Sequence, residues 1–74
     1  MSFEERTTRI ELLIGMIKRS NTGSAEELAR KLGVSRRTVF NDIEFLRGKG
    51  FPIVFNLLNA SYLFEKKRKK LQLF

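Results

Sequence analysis

The stretch LARKLGVSRRTVFNDIEFLRGKG, residues 28–50, contains two helical patterns joined by a turn. In its second half, three apolar residues recur at the spacing that places side chains on one helix face: Val39, Ile43 and Leu46. A step of about 100° per residue then places Arg37 and Asn41 on the opposite face. The stretch therefore predicts a helix with one buried face and one face that can form hydrogen bonds.

The preceding segment predicts a shorter helix over about residues 24–32. Ser24 and Glu27 have the spacing of a capping box, in which each side chain accepts a hydrogen bond from the other residue's backbone N–H. Gly33 is placed to end this helix in a left-handed conformation. Ser35 follows as the expected N-cap of the next helix, predicted over about residues 35–47.

Two cations follow that cap directly, Arg36 and Arg37. A helix N-terminus already has partial positive charge from N–H groups without intrahelical partners. Adding cations there is unfavourable unless an anion lies opposite. The sequence therefore indicates an anionic partner at the start of this helix.

A longer amphipathic helix is predicted before this pair, over about residues 3–20. Its apolar stripe consists of Ile10, Leu13, Ile14 and Ile17. Leu12 and Met16 form a second apolar pair, offset from the stripe. They either widen the core face or provide a surface for self-association.

A β-hairpin is predicted after the third helix. Pro52 disfavours a helical conformation at the preceding residue. Two β-prone runs follow, at residues 53–56 and 62–65, with residues 57–61 as a five-residue loop. The predicted fold class is α+β, mainly α, with three helices and a C-terminal two-stranded hairpin that docks on them.

Composition narrows the range of functions. The chain has 74 residues, which suffices for one small domain, and a formal net charge of +7. Residues 51–74 hold five basic and one acidic residue, so much of the excess lies in this segment. Such a charge favours a polyanionic partner, most often nucleic acid. The alternative is a basic surface that is merely solvated.

The residue types that many enzymes and metal sites use are missing. The sequence has no Cys and no His, so no thiolate or imidazole can act as nucleophile, general base or zinc ligand. We expect no catalytic residues, no metal and no cofactor. No apolar run approaches the length of a membrane span, and the N-terminal segment lacks the features of a signal peptide. We therefore expect a cytoplasmic protein with no membrane partner.

The segment SAEELARKLGVSRRTVFNDIEFLRGKGFPI resembles the winged helix-turn-helix DNA-binding domain of DeoR-type and biotin-repressor-type bacterial regulators. The elements that carry the resemblance are Ser24, Leu28-Ala29, the Leu32 to Ser35 turn, Arg37-Thr38, Asp42-Ile43, Leu46, Gly50, Pro52-Ile53 and Tyr62. The resemblance implies a winged helix-turn-helix domain over residues 1–65, with residues 66–74 as a basic C-terminal tail. This sequence departs from the family at Asn41, where the family often has a basic residue. The sequence also lacks the effector-binding domain that usually follows, so no small-molecule effector is expected.

In such folds the third helix enters the DNA major groove. The base-reading candidates are Arg37, Thr38, Phe40 and Asn41. The phosphate-binding candidates are Ser24, Ser35, Arg36, Lys66, Lys67, Arg68, Lys69 and Lys70. The basic run either follows the backbone or minor groove, or is a solvated tail with no specific role.

The resemblance implies a sequence-specific, double-stranded DNA-binding protein that acts as a small bacterial transcriptional regulator at the nucleoid. A homodimer would supply the additional contacts that one small module lacks. The dimer-contact candidates are Leu12, Met16, Leu71, Leu73 and Phe74. The alternative function is a protein-interaction adaptor that kept the winged helix but no longer reads DNA. An RNA partner is less favoured, because the A-form major groove is too narrow for the helix.

Overall fold

The computed structural model describes residues 3–65. Its elements, in chain order, are α1 (Phe3–Arg19), α2 (Ala25–Leu32), α3 (Arg36–Gly48), β1 (Ile53–Asn56) and β2 (Ser61–Phe64). The two strands form one antiparallel hairpin, with β2 packed against α1 and β1 against α3. Three helices followed by a two-stranded wing confirm the predicted fold class. The proposed tail, residues 66–74, lies outside the described residues.

The core lies where the three helices and the wing meet. Its buried side chains are Leu13, Ile17, Leu28, Ala29, Val39, Ile43, Leu46, Ile53 and Tyr62. The predicted inward face of α3 is therefore confirmed. Along α1, Ile10 and Ile14 are half-buried against this core. Burial of these side chains is the main favourable term that holds so small a domain together.

Local hydrogen bonds fix where α2 begins and ends. The Ser24 Oγ accepts from the Glu27 N–H at 3.2 Å, and the Glu27 carboxylate accepts from the Ser24 N–H at 2.8 Å. This confirms the capping box. Gly33 ends the helix with a φ of 72°, a conformation that glycine adopts without steric cost. The turn between α2 and α3 therefore has the geometry that the sequence predicts.

The hairpin differs from the prediction in the position of β2, which spans Ser61–Phe64 instead of 62–65. Asn56 pairs with Ser61, so β2 begins one residue earlier than predicted and the turn has four residues, 57–60, instead of five. The turn closes through a bond from the Asn59 N–H to the Asn56 Oδ1, and Ala60 adopts a positive φ of 51°. Left-handed alanine is uncommon, so residue type does not predict that Ala60 closes the turn in this conformation.

Ser61 belongs to the strand because its side chain joins a buried polar cluster with Thr22. The Thr22 Oγ1 accepts from the Tyr62 N–H at 2.8 Å and lies 3.1 Å from the Ser61 Oγ. The Ser61 Oγ also accepts from the Thr22 N–H at 3.1 Å. Both side chains are fully buried. This cluster links the α1–α2 turn to the wing.

A buried ion pair links α1 to α3. The Arg9 guanidinium contacts both oxygens of the Asp42 carboxylate, with Nε–Oδ2 and Nη2–Oδ1 distances of 2.6 and 3.0 Å. Hydrogen bonding to Asp42 raises the pKa of Arg9, so the guanidinium stays charged. Two parallel bonds fix orientation as well as distance. The pair therefore constrains the rotation of α3 about its own axis.

Candidate nucleic-acid interface

The start of α3 has donors that a phosphate could use. The Ser35 Oγ accepts from the Thr38 N–H at 3.1 Å, which confirms Ser35 as the N-cap. The first helical backbone bond then runs from Val39 to Ser35. The N–H groups of Arg36 and Arg37 precede that bond, and both side chains are exposed. This end of α3 therefore combines the positive end of the helix dipole with two cations.

The outer face of α3 bears a strip of exposed polar side chains. Arg37, Asn41 and Glu44 follow the i, i+4, i+7 spacing of one helix face, and all three are exposed. The buried face of the same helix faces the core, so the strip points to solvent. Asp42, next to Asn41, is held by Arg9, so the strip is presented in a fixed orientation.

Thr38 and Phe40 lie beside the strip. Phe40 is about half exposed, on one flank of α3. Thr38 is half-buried, and its Oγ1 lies 3.1 Å from the Ser35 Oγ. Its hydroxyl is therefore already engaged at the cap, whereas Arg37 and Asn41 are open to solvent. The base-reading role stays a prediction for all four residues.

Ser24 lies in a different electrostatic environment from Ser35. The Glu27 carboxylate occupies its backbone N–H, and this hydrogen bond lowers the pKa of Glu27. A Cβ at Gly23 would approach the Glu27 Oε1 to 2.3 Å, so glycine makes room for the carboxylate. A phosphate at Ser24 would lie close to this negative charge. Phosphate binding there stays a prediction.

The dimer-contact candidates fall into three groups. Leu12 is 55% exposed, in agreement with a surface role. Met16 is half-buried and packs against the core, as the core-widening interpretation predicts. Leu71, Leu73 and Phe74 lie outside the described residues, as do the phosphate candidates of the tail, Lys66, Lys67, Arg68, Lys69 and Lys70.

Arg47 forms contacts with the wing and with Glu44 that the sequence did not predict. Its Nε and Nη2 donate to the Ile53 carbonyl at 3.1 and 2.9 Å, and its Nη1 donates to the Glu44 carboxylate at 2.6 Å. The i, i+3 spacing of Glu44 and Arg47 could have indicated the ion pair. The bonds to Ile53 depend on where the wing docks, and no local pattern encodes that position.

Two cations lie over an aromatic ring on the other flank of α3. The Arg6 guanidinium is 4.6 Å from the Phe45 ring centroid and the Lys49 Nζ is 5.4 Å from it. Such cation–π contacts stabilise an exposed aromatic side chain. Phe45 therefore holds the Arg6 side chain of α1 and the Lys49 side chain near the end of α3.

Three helices with a capped turn between the second and third, followed by an antiparallel hairpin docked on them, define a winged helix-turn-helix. The comparison with protein families agrees: residues 9–55 match the family described as HTH domain, which is more than half of the chain. The chain belongs to this helix-turn-helix family. The matched segment contains both partners of the Arg9–Asp42 pair and ends in β1.

Membership assigns the domain to a class found in DNA-binding regulators. Within residues 3–65, no helix is both long and apolar enough to cross a membrane. The same part of the chain has no cluster of acidic side chains arranged to hold a metal ion.

Proposed function

We propose that this chain is a sequence-specific, double-stranded DNA-binding protein that acts as a small transcriptional regulator. The observation that carries the proposal is the exposed strip on α3, whose opposite face is buried in the core. Arg37 suits the O6/N7 edge of guanine and Asn41 the N6/N7 edge of adenine. Arg36 and the Ser35 cap would hold backbone phosphates.

The resemblance to DeoR-type and biotin-repressor-type regulators extends the proposal to a bacterial, cytoplasmic protein at the nucleoid. The wing and the basic tail would bind the backbone or minor groove. Leu12, exposed on α1, is the described residue that best supports a homodimer. On a two-fold site, half-sites should lie about 10–10.5 bp apart or a multiple of that distance.

Fluorescence anisotropy with a labelled random-sequence duplex tests DNA binding. We expect binding whose log–log salt slope is roughly −4 to −6 per monomer, from about five neutralised phosphates. Glutamine at all five basic positions of residues 66–70 should flatten the slope. The control variant Lys18→Gln/Arg19→Gln removes charges at the end of α1 and should change it less. No binding in the micromolar range at low salt would contradict the proposal and favour the adaptor function.

A further inference from the structure

The outward strip of α3 contains a charge of the wrong sign for a phosphate-binding surface. The Glu44 side chain is 68% exposed and lies one turn beyond Asn41. In a chain of net charge +7, this carboxylate would approach a duplex on the face that is proposed to enter the groove. Repulsion from phosphates makes that placement costly unless the carboxylate forms a specific contact.

Glu44 is also held in place. Arg47 donates to its Oε2, and the same guanidinium is fixed by two hydrogen bonds to the Ile53 carbonyl. An exposed ion pair at i, i+3 adds little stability by itself. The arrangement does restrict the motion of the Glu44 side chain. Because Arg47 is bonded to the wing and also holds the carboxylate, Glu44 loses less conformational freedom on binding. The hydrogen bond and ion pair recorded for this carboxylate within residues 3–65 both involve Oε2.

A carboxylate distinguishes bases by accepting hydrogen bonds without donating them. In the major groove, cytosine presents its N4 amino donor, whereas guanine and thymine present acceptors that would repel the carboxylate. Adenine also has a donor there, but its N7 acceptor beside that donor suits an amide such as Asn41 better. Cytosine is therefore the base that matches Glu44.

We propose that Glu44 is a further specificity-determining residue, which accepts a hydrogen bond from the N4 amino group of a cytosine and is positioned by Arg47. The inference rests on the proposed DNA-binding function. Glu44 lies about 10 Å from Arg37 along the helix axis, at 1.5 Å per residue. That distance corresponds to about three base-pair steps of 3.4 Å. The site should therefore contain a cytosine within about three base pairs of the guanine that Arg37 reads.

Selection of bound duplexes from a random pool, with wild type and Glu44→Gln in parallel, tests this inference. Wild type should enrich a cytosine at one position, and Glu44→Gln should reduce that preference about tenfold, since glutamine can also donate. Affinity for random DNA should stay equal or rise, because a negative charge is lost. Glu11→Gln is the matched control: it makes the same change on α1, away from the strip, and should leave the selected sequence unchanged.

The positioning role of Arg47 has its own readout. Arg47→Lys keeps the charge but loses the forked geometry. It should weaken the cytosine preference while affinity for random DNA stays near wild type. If Glu44→Gln selects the same sequence as wild type with equal preference, the inference is wrong although DNA binding stands. If wild type enriches no sequence or binds no duplex, the proposed function fails as well.

Discussion

The ion pair of Arg9 and Asp42 places two opposite charges where α1 meets α3. Each side chain is more than nine-tenths buried. Removing one partner from such a pair costs more than removing both, because the remaining charge stays buried without compensation. The pair is therefore a sensitive point of the fold, and it sets how the strip beside Asp42 is presented.

Arg9→Met should destabilise the domain by about 3–5 kcal/mol, since the Asp42 carboxylate would lose its guanidinium. The double variant Arg9→Met/Asp42→Leu should recover most of that loss. Urea unfolding followed by circular dichroism measures both. Arg6→Met, an exposed change on the same helix, should cost less than about 1 kcal/mol. Equal losses in the single and double variants would contradict this account of the pair.

The buried hydroxyl of Thr22 gives a second prediction at this scale. Thr22→Val keeps the shape of the side chain but leaves the Tyr62 N–H without its acceptor, which should cost about 1–3 kcal/mol. Thr22→Ser retains the hydroxyl and should cost less. Amide hydrogen exchange at Tyr62 should accelerate in the valine variant alone. Unchanged exchange there would show that the hydroxyl does not hold the wing.

At the scale of elements, the cap of α2 links stability to pH. Its hydrogen bond from the Ser24 N–H lowers the pKa of Glu27 below the ordinary value of 4.5. A carboxylate whose pKa is lowered in the folded state stabilises the fold fully above its ordinary pKa. That contribution is lost as the pH falls through the lowered value.

Wild type should therefore lose stability in acid more steeply than Glu27→Gln, which retains an acceptor that does not titrate. The difference in unfolding free energy should be constant near neutral pH and shrink as the pH falls below about 5. Ser24→Ala should cost about 1 kcal/mol at neutral pH. Urea titrations at a series of pH values measure both effects. A difference that does not vary with pH would rule out this role for Glu27.

At the scale of the whole molecule, the exposed apolar side chains within residues 3–65 include one in α1 and two at the wing tip. Leu12 lies in the middle of α1, whereas Leu57 and Leu58 lie at the wing tip, 85% and 96% exposed. The homodimer proposed above uses the helix surface. A contact on one rigid helix orders fewer side chains and loops than a contact on a hairpin tip would.

Sedimentation velocity should show association that weakens in Leu12→Ser and persists in Leu58→Ser. The two variants make the same chemical change, and both act on exposed side chains. Leu12→Ser should leave the helical content unchanged by circular dichroism. Equal association of wild type and Leu12→Ser would show that the Leu12 surface of α1 does not form the dimer contact.

The sequence predicted the parts of this molecule that short-range physics determines. The capping box at Ser24, the left-handed Gly33 and the inward face of α3 all depend on residues within a few positions of one another. The Arg9–Asp42 pair and the Thr22–Ser61 contact join residues 33 and 39 positions apart, so no local pattern contains them. The predicted start of β2 was wrong for the same reason. Ser61 lies in the strand and bonds to Thr22, and that contact cannot be seen in the local sequence.

In the candidate site too, local patterns predicted some features and contacts between elements determined the others. Helical periodicity was enough to place Arg37 and Asn41 on the outward face of α3. It could not show that Arg47 contacts the wing and thereby fixes Glu44, because that contact depends on how the hairpin docks. Burial patterns encode which face is free, whereas the contacts between elements that orient its side chains come from the assembled fold.

The most direct test of the account compares affinities for a selected duplex and its scrambled counterpart at one salt concentration. For wild type and Arg36→Ala, the ratio should be the same, since Arg36→Ala should weaken both affinities together and reduce the salt slope by about 1. Arg37→Ala should instead lower the ratio, which corresponds to a loss of about 1–3 kcal/mol in the free-energy difference between the two duplexes, because the guanine contact is lost. A ratio that Arg37→Ala leaves unchanged would contradict the claim that the outward face of α3 reads DNA sequence.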